Sequence, residues 1–164
     1  MIEEGYDLVI RVNPASDESL VGRAFLYDRL VVVARPDLAR PSGGRSARAV
    51  IRGGAGAETW NVMTSKGPTK IRIDPVLVLS SLIMVRDAVS AGVGATRLPI
   101  SLVSRDLAAG TLMHWGDVEN SEIALWALYP SRRLLSARVS ALLDFLKQAF
   151  PKETPEELAA YIGG

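Results

Sequence analysis

The chain has 164 residues, 48% of them apolar and 23% charged, and a net charge of +1. This is the composition of a soluble globular protein of one domain or two small lobes, and the near-zero charge gives no electrostatic reason to expect nucleic acid or membrane as partner. The absence of cysteine excludes disulfides, thiolate metal sites and cysteine nucleophiles, and fits the cytoplasm.

The opening MIEEGYDLVI has no basic stretch ahead of an apolar core, so no secretory signal is expected. No apolar run approaches the roughly 20 residues that cross a bilayer. DLVIRV (7–12), closed by Asn13-Pro14, reads as a buried strand, and residues 15–19 as polar loop. Residues 20–26 and LVVVA (30–34) read as two more strands, the second fully buried. Pro36, Pro41, Gly43 and Gly44 break 35–48 into loop, and AVIR precedes the turn GGAGA (53–57). TWNVM (59–63) and TKIRI (69–73) flank TSKGP as a hairpin. Pro75 demotes the following VLVL to an edge strand or an irregular extended segment.

SSLIMVRDAVSAG (80–92) places Leu82, Val85, Ala88 and Val89 on one face of a helix, with Ser80 or Ser81 as its N-cap. Gly92-Val93-Gly94 then raises the question of a phosphate-cradling loop. Such loops lead from a strand into a helix, whose N-terminus faces the phosphate. Here the order is helix then strand, so Gly92 reads as a C-terminal cap. Gly53-Gly54-Ala55-Gly56 lacks the Lys-Ser/Thr of a P-loop and reads as a turn. Neither loop argues for a nucleotide. VGATRL is a strand closed by Pro99. ISLVSRDLAAG is a helix stopped by Gly110, TLMHW a strand, GDVENSE a loop and IALWALYP (123–130) a strand. Leu135, Val139, Leu142, Leu146 and Phe150 mark an amphipathic helix capped by Ser136. Thr154-Pro155-Glu156-Glu157 forms a capping box for a short last helix. Strands alternating with helices make this an α/β protein with mixed or parallel sheets.

The residues alone offer no catalytic centre. His114 is the single histidine and lies between Met113 and Trp115, where a structural role is expected. No serine occupies a G-x-S-x-G elbow. Glu3-Glu4, Asp17-Glu18, Asp117-Glu119 and Glu156-Glu157 read as solvated faces or caps. Arg132, Arg133 and Arg138 read as surface or site alike, and Trp60, Trp115 and Trp126 as packing residues. No metal site and no cofactor are expected.

Several stretches carry a resemblance. DLVIRV, SLVGRAF and DRLVVVARPDLAR, then SSLIMVRDAVSAGVGATRLP, SRDLAAGTLMHW and LWALYPSRRLLSARVSALLDFL, resemble the effector-binding domain of LysR-type transcriptional regulators over about residues 5–150. Tyr129-Pro130-Ser131-Arg132-Arg133 through Phe145-Leu146 is the most specific stretch, and 42–75 the weakest. The resemblance implies a periplasmic-binding-protein-like type 2 fold: two α/β lobes joined by crossover strands, with a small molecule in the cleft. Residues 1–30 and 122–150 would form an incomplete first lobe, 31–121 the second, and 151–164 a short helix and tail. Ser80 and Ser81, at a helix N-terminus, would suit a carboxylate or other anion; Arg11 and Asn13 would reach the same cleft, and Thr96 is a further candidate.

The resemblance also implies an effector sensor without enzymatic activity, in a cytoplasmic regulator. Its DNA contact would be made only through a helix-turn-helix domain that the chain does not contain. The first-lobe elements that precede DLVIRV in the family are not in the chain either. Strands 7–12 and 123–129, with the apolar face of helix 136–150, would then be left uncovered and favour a homo-oligomer, a dimer foremost. The rival reading is a transport-type solute receptor on the same fold, which calls for a signal peptide or lipid anchor. An enzyme on the two-lobed fold ranks behind both.

Overall fold

The computed structural model describes residues 7–54, 59–131 and 135–162. In chain order it runs β1 (Val9–Val12), β2 (Leu20–Asp28), β3 (Leu30–Ala34), β4 (Ala47–Arg52), β5 (Thr59–Thr64) and β6 (Gly67–Leu79). Then come α1 (Leu82–Ser90), β7 (Thr96–Pro99), α2 (Ile100–Ala109), β8 (Met113–Val118), β9 (Ile123–Pro130), α3 (Ala137–Ala149) and α4 (Pro155–Ile162). The chain divides into two compact units: one holds the residues up to Asp28 and from Glu122 onward, the other Arg29–Ser121.

In the Arg29–Ser121 unit the strand order is β4-β6-β5-β8-β3-β7. The first half of β6 pairs antiparallel with β5, and its second half pairs parallel with β4. A parallel bridge from Ala49 to Ala95 ties β4 back to the entrance of β7. β3 explains its own burial. Its run of β-branched side chains has an apolar partner on each face: Val32 and Ala34 pack with Trp60, Val62 and Trp115, whereas Val31 and Val33 pack with Val85, Val89 and Val103 of α1 and α2. Such runs belong to strands covered on both sides.

The other unit is an antiparallel sheet of order β1-β9-β2. Phe25 and Leu26 of β2 and Ala127 of β9 pack against Leu146 and Phe150 at the end of α3. Ser136 caps α3 by accepting the Val139 N–H at 3.2 Å. The capping box of α4 forms as read: Glu157 N–H donates to Thr154 Oγ1 and Thr154 N–H to Glu157 Oε1. Phe150 meets Tyr161 edge-on at 5.5 Å, and Tyr27 N–H donates to the Glu153 carbonyl, so α4 closes onto this same unit.

Several expectations change. β1 is not a buried strand. It lies at the sheet edge and pairs only with β9 among the described residues, and Ile10 and Val12 are 51% and 58% exposed. β9 is not uncovered, because it is the central strand, flanked by β1 and β2. β6 runs on through Pro75, whose missing N–H falls where the β4–β6 ladder shifts register. The stretch after it pairs on one side, with β4. β8 extends to Val118, taking in Gly116 and Asp117, which read as loop. Residues Glu3-Glu4, Ala55-Gly56 and Arg132-Arg133 lie outside the described residues.

Candidate functional site

The helix N-terminus at Ser80-Ser81 is set by the strands before it. β4 and β6 run parallel to the pair Arg52–Leu79, and Gly53 N–H donates to the Leu79 carbonyl at 2.8 Å. The chain then turns into α1 with Ser81 at the N-cap. Its backbone is extended, as a cap requires, but its hydroxyl makes no capping hydrogen bond, contrary to the sequence reading. No acidic residue stands in the first turn of α1. Neither the cap hydroxyl nor a carboxylate of its own first turn therefore offsets the partial positive charge of the α1 N-terminus.

The far end of α1 answers the glycine question. Val93 N–H donates to the Ala88 carbonyl and Gly92 N–H to the Val89 carbonyl, the bond pair that ends a helix on a left-handed residue. Gly92 supplies that residue, with φ +88°. Gly94 serves another purpose: a Cβ there would lie 2.7 Å from the Arg48 carbonyl oxygen, so only glycine lets β4 and the entrance of β7 bridge. Both glycines build the fold, and neither holds a phosphate.

Along β7 the two faces differ. Thr96 is buried and its Oγ1 donates to the Val50 carbonyl at 2.7 Å, so its hydroxyl is committed to joining β7 to β4. Arg97 points to the opposite face, opposite Val32 in the ladder, with its guanidinium 6.0 Å from the Trp60 ring centre. Burial holds its pKa below the usual guanidinium value. Arg97 was passed over in the sequence because nothing in TRLP distinguishes a site arginine from a surface one.

In the other unit, Arg11 stands opposite Trp126 in the β1–β9 ladder and lines an open depression of about 390 Å³ with Asp17, Leu20, Gly22 and Leu128. Asp17 accepts from both the N–H and the hydroxyl of Ser19, and these bonds hold its carboxyl below the usual range. Asn13 is engaged otherwise. Its Oδ1 accepts the Ala124 N–H at 2.7 Å and its Nδ2 donates to the Glu122 carbonyl, tying the end of β1 to the start of β9. The candidates thus divide: Ser80, Ser81 and Thr96 belong to the Arg29–Ser121 unit, and Arg11 and Asn13 to the other.

His114 forms a 2.8 Å hydrogen bond with Asp117, which also meets Arg29 at 3.5 Å. The cluster holds no nucleophile. Among the described residues no three His, Cys, Asp or Glu side chains are grouped to hold a metal, and no helix is long and apolar enough to cross a membrane.

Comparison with known proteins gives these elements a setting. The family model for the LysR substrate binding domain matches residues 1–151. Among solved structures, the chain is similar to the regulatory domain of AphB from Vibrio vulnificus, with a TM-score of 0.69 and 22% identity over 87% of this chain and 75% of that one. The CrgA regulatory domain from Neisseria meningitidis gives 0.69 and 24%, over 88% and 75%. The effector domain of AmpR from Pseudomonas aeruginosa gives 0.63 and 19%, over 92% and 75%. Against full-length AphB of Vibrio cholerae, the chain spans 52% of the length. No curated relative matches by sequence.

Proposed function

The chain belongs to the LysR substrate-binding domain family, and from that premise we propose that it senses a small metabolite on behalf of a cytoplasmic transcriptional regulator. The observation that carries this reading is the family match across residues 1–151. The first contacts would be made by Ser80 and Ser81, where first-turn N–H groups and a hydroxyl not used for capping suit a carboxylate or another acceptor-rich group. Thr96 and Asn13 would hold the frame, since their side chains already bond within it. DNA contact would belong to a separate helix-turn-helix domain, and ligand binding would act by shifting the population of conformers.

Self-association would run through the β1 edge, which pairs only with β9 among the described residues and exposes Ile10 and Val12. Sedimentation at about 100 μM, well above a micromolar dissociation constant, should show a dimer. A stable monomer there would count against that part of the reading.

Thermal unfolding with a panel of organic acids, amino acids and sugar acids tests the sensing role. A ligand at about one hundred times its dissociation constant adds about 2.7 kcal/mol and visibly raises the midpoint. Ser81→Ala should reduce that rise. A panel with no stabilising member would overturn the reading.

A further inference from the structure

Four arginines among the described residues are partly buried: Arg11, Arg35, Arg86 and Arg97. Three have polar partners. Arg35 pairs with Asp37 at 2.6 Å, Arg86 meets Asp87 and donates to the Leu102 carbonyl, and Arg11 is engaged as well. Arg97 alone among them has neither an ion pair nor a side-chain hydrogen bond within the described residues. The contact it does have is with the face of Trp60, itself only 2% exposed. A guanidinium drawn partly out of water ordinarily gains a carboxylate or carbonyl in return.

The geometry fixes what is left for a ligand. Guanidinium donors lie in the plane of the group and point outward from its rim. The Arg97 guanidinium carbon stands over the Trp60 ring at 6.0 Å from its centre, and no described acceptor meets its N–H groups. Such a fork matches the two oxygens of a carboxylate, and the indole face beside it favours the charged group. The position also fits. The Ala49–Ala95 bridge makes β7 parallel to β4, and β4 is parallel to the second half of β6. Arg97, the second residue of β7, therefore stands two residues past that bridge in the direction of the carboxyl edge where Ser80 follows Leu79. In α/β sheets this edge is where ligands bind.

We propose that Arg97, braced on Trp60, is a carboxylate-binding group of the Arg29–Ser121 unit and receives the acidic end of the effector. The identification of the ligand as an effector rests on the function proposed above; the anion site itself does not.

The test uses the whole chain, labelled with nitrogen-15, and follows the arginine Nε–Hε signals during titration with sodium acetate. Sodium chloride at matched ionic strength is the control, and sodium sulfate a second arm. The Arg97 signal, assigned by its loss in Arg97→Lys, should move saturably with acetate and not with chloride. Backbone amides beside Arg97 should report the same binding, weakened about tenfold or more in Arg97→Gln, as expected for loss of a charged hydrogen bond. An Arg97 signal unmoved by acetate, or acetate binding unchanged in Arg97→Gln, would overturn the proposal. So would saturation by sulfate without acetate, which would reassign the site to tetrahedral anions. If Arg97→Gln does not fold, the acetate titration of the unsubstituted chain still decides. Metabolites that stabilise the chain while Arg97 ignores acetate would leave the sensor reading standing without this site. Acetate at Arg97 with no stabilising metabolite would leave the site standing without the sensor reading.

Discussion

The two units bury their strands differently, and the contrast between β3 and β1 shows why. LVVVA in β3 has apolar cover on both faces, and Val31 through Ala34 are fully buried. VIRV in β1 is nearly as apolar, yet its residues alternate between partly buried and exposed, because among the described residues the strand has one neighbour and α3 and α4 reach the sheet mainly over β2 and β9. Burial here follows from what surrounds a strand more than from its composition. The Arg29–Ser121 unit supplies that cover from its own chain.

Truncation of equivalent aliphatic side chains would expose the difference most strongly. Leu98 in β7 is fully buried among Val31, Val85 and Val103, so Leu98→Ala should cost about 2–5 kcal/mol through lost transfer energy and a residual cavity. Ile10→Ala in β1 removes a half-exposed side chain and should cost about 1 kcal/mol or less. Urea denaturation of the two variants measures both. Comparable losses would mean that β1 is covered in solution, as a dimer through its edge would cover it.

A smaller contrast separates two serines at helix starts. Ser136 accepts the Val139 N–H, so Ser136→Ala should cost about 1 kcal/mol. Ser81 occupies the same position on α1 without that bond, and Ser81→Ala should change stability by a few tenths of a kcal/mol at most. A cap-sized loss at Ser81 would show its hydroxyl bonded to the helix, removing the reason to assign it to a ligand.

These two serines mark how far the sequence can be read. Periodicity and punctuation are local, so α1 with Val85 and Val89 inward, the glycine stops at Gly92 and Gly110, the hairpin of β5 and β6, and the Thr154 capping box were all legible. The family was legible too, because its motifs extend along most of the chain. Pairing partners were not. Nothing within DLVIRV says that the strand takes the sheet edge, and nothing in IALWALYP says that it sits centrally. Site chemistry was legible only as residue types. Thr96 and Arg97 are adjacent in the sequence, and only the β4 backbone on one face and Trp60 on the other decide which is committed and which is available.

The smallest expected effect separates two exposed carboxylates, one in each unit, that are both held below their ordinary pKa. Asp37 is lowered first by its hydrogen bonds from the Arg35 guanidinium and then by that group's charge, whereas Asp17 is lowered by the neutral hydroxyl and N–H of Ser19. In the unfolded chain each titrates at its ordinary value. Each contribution to stability is therefore complete above that value and is lost as pH falls through the lower folded pKa. Solvent screens both groups, so the effects are small. Asp37→Asn and Asp17→Asn should each flatten the acid limb of a stability profile measured by urea denaturation. Salt tells them apart. At about 1 M ionic strength the screening length falls to about 3 Å, which weakens the Arg35 pairing and leaves the Ser19 bonds largely intact. The difference between Asp37→Asn and the unsubstituted chain should then shrink, and the Asp17→Asn difference should persist. Equal sensitivity to salt would show that nearby positive charge, the weaker influence at Asp17, governs that carboxyl instead of Ser19.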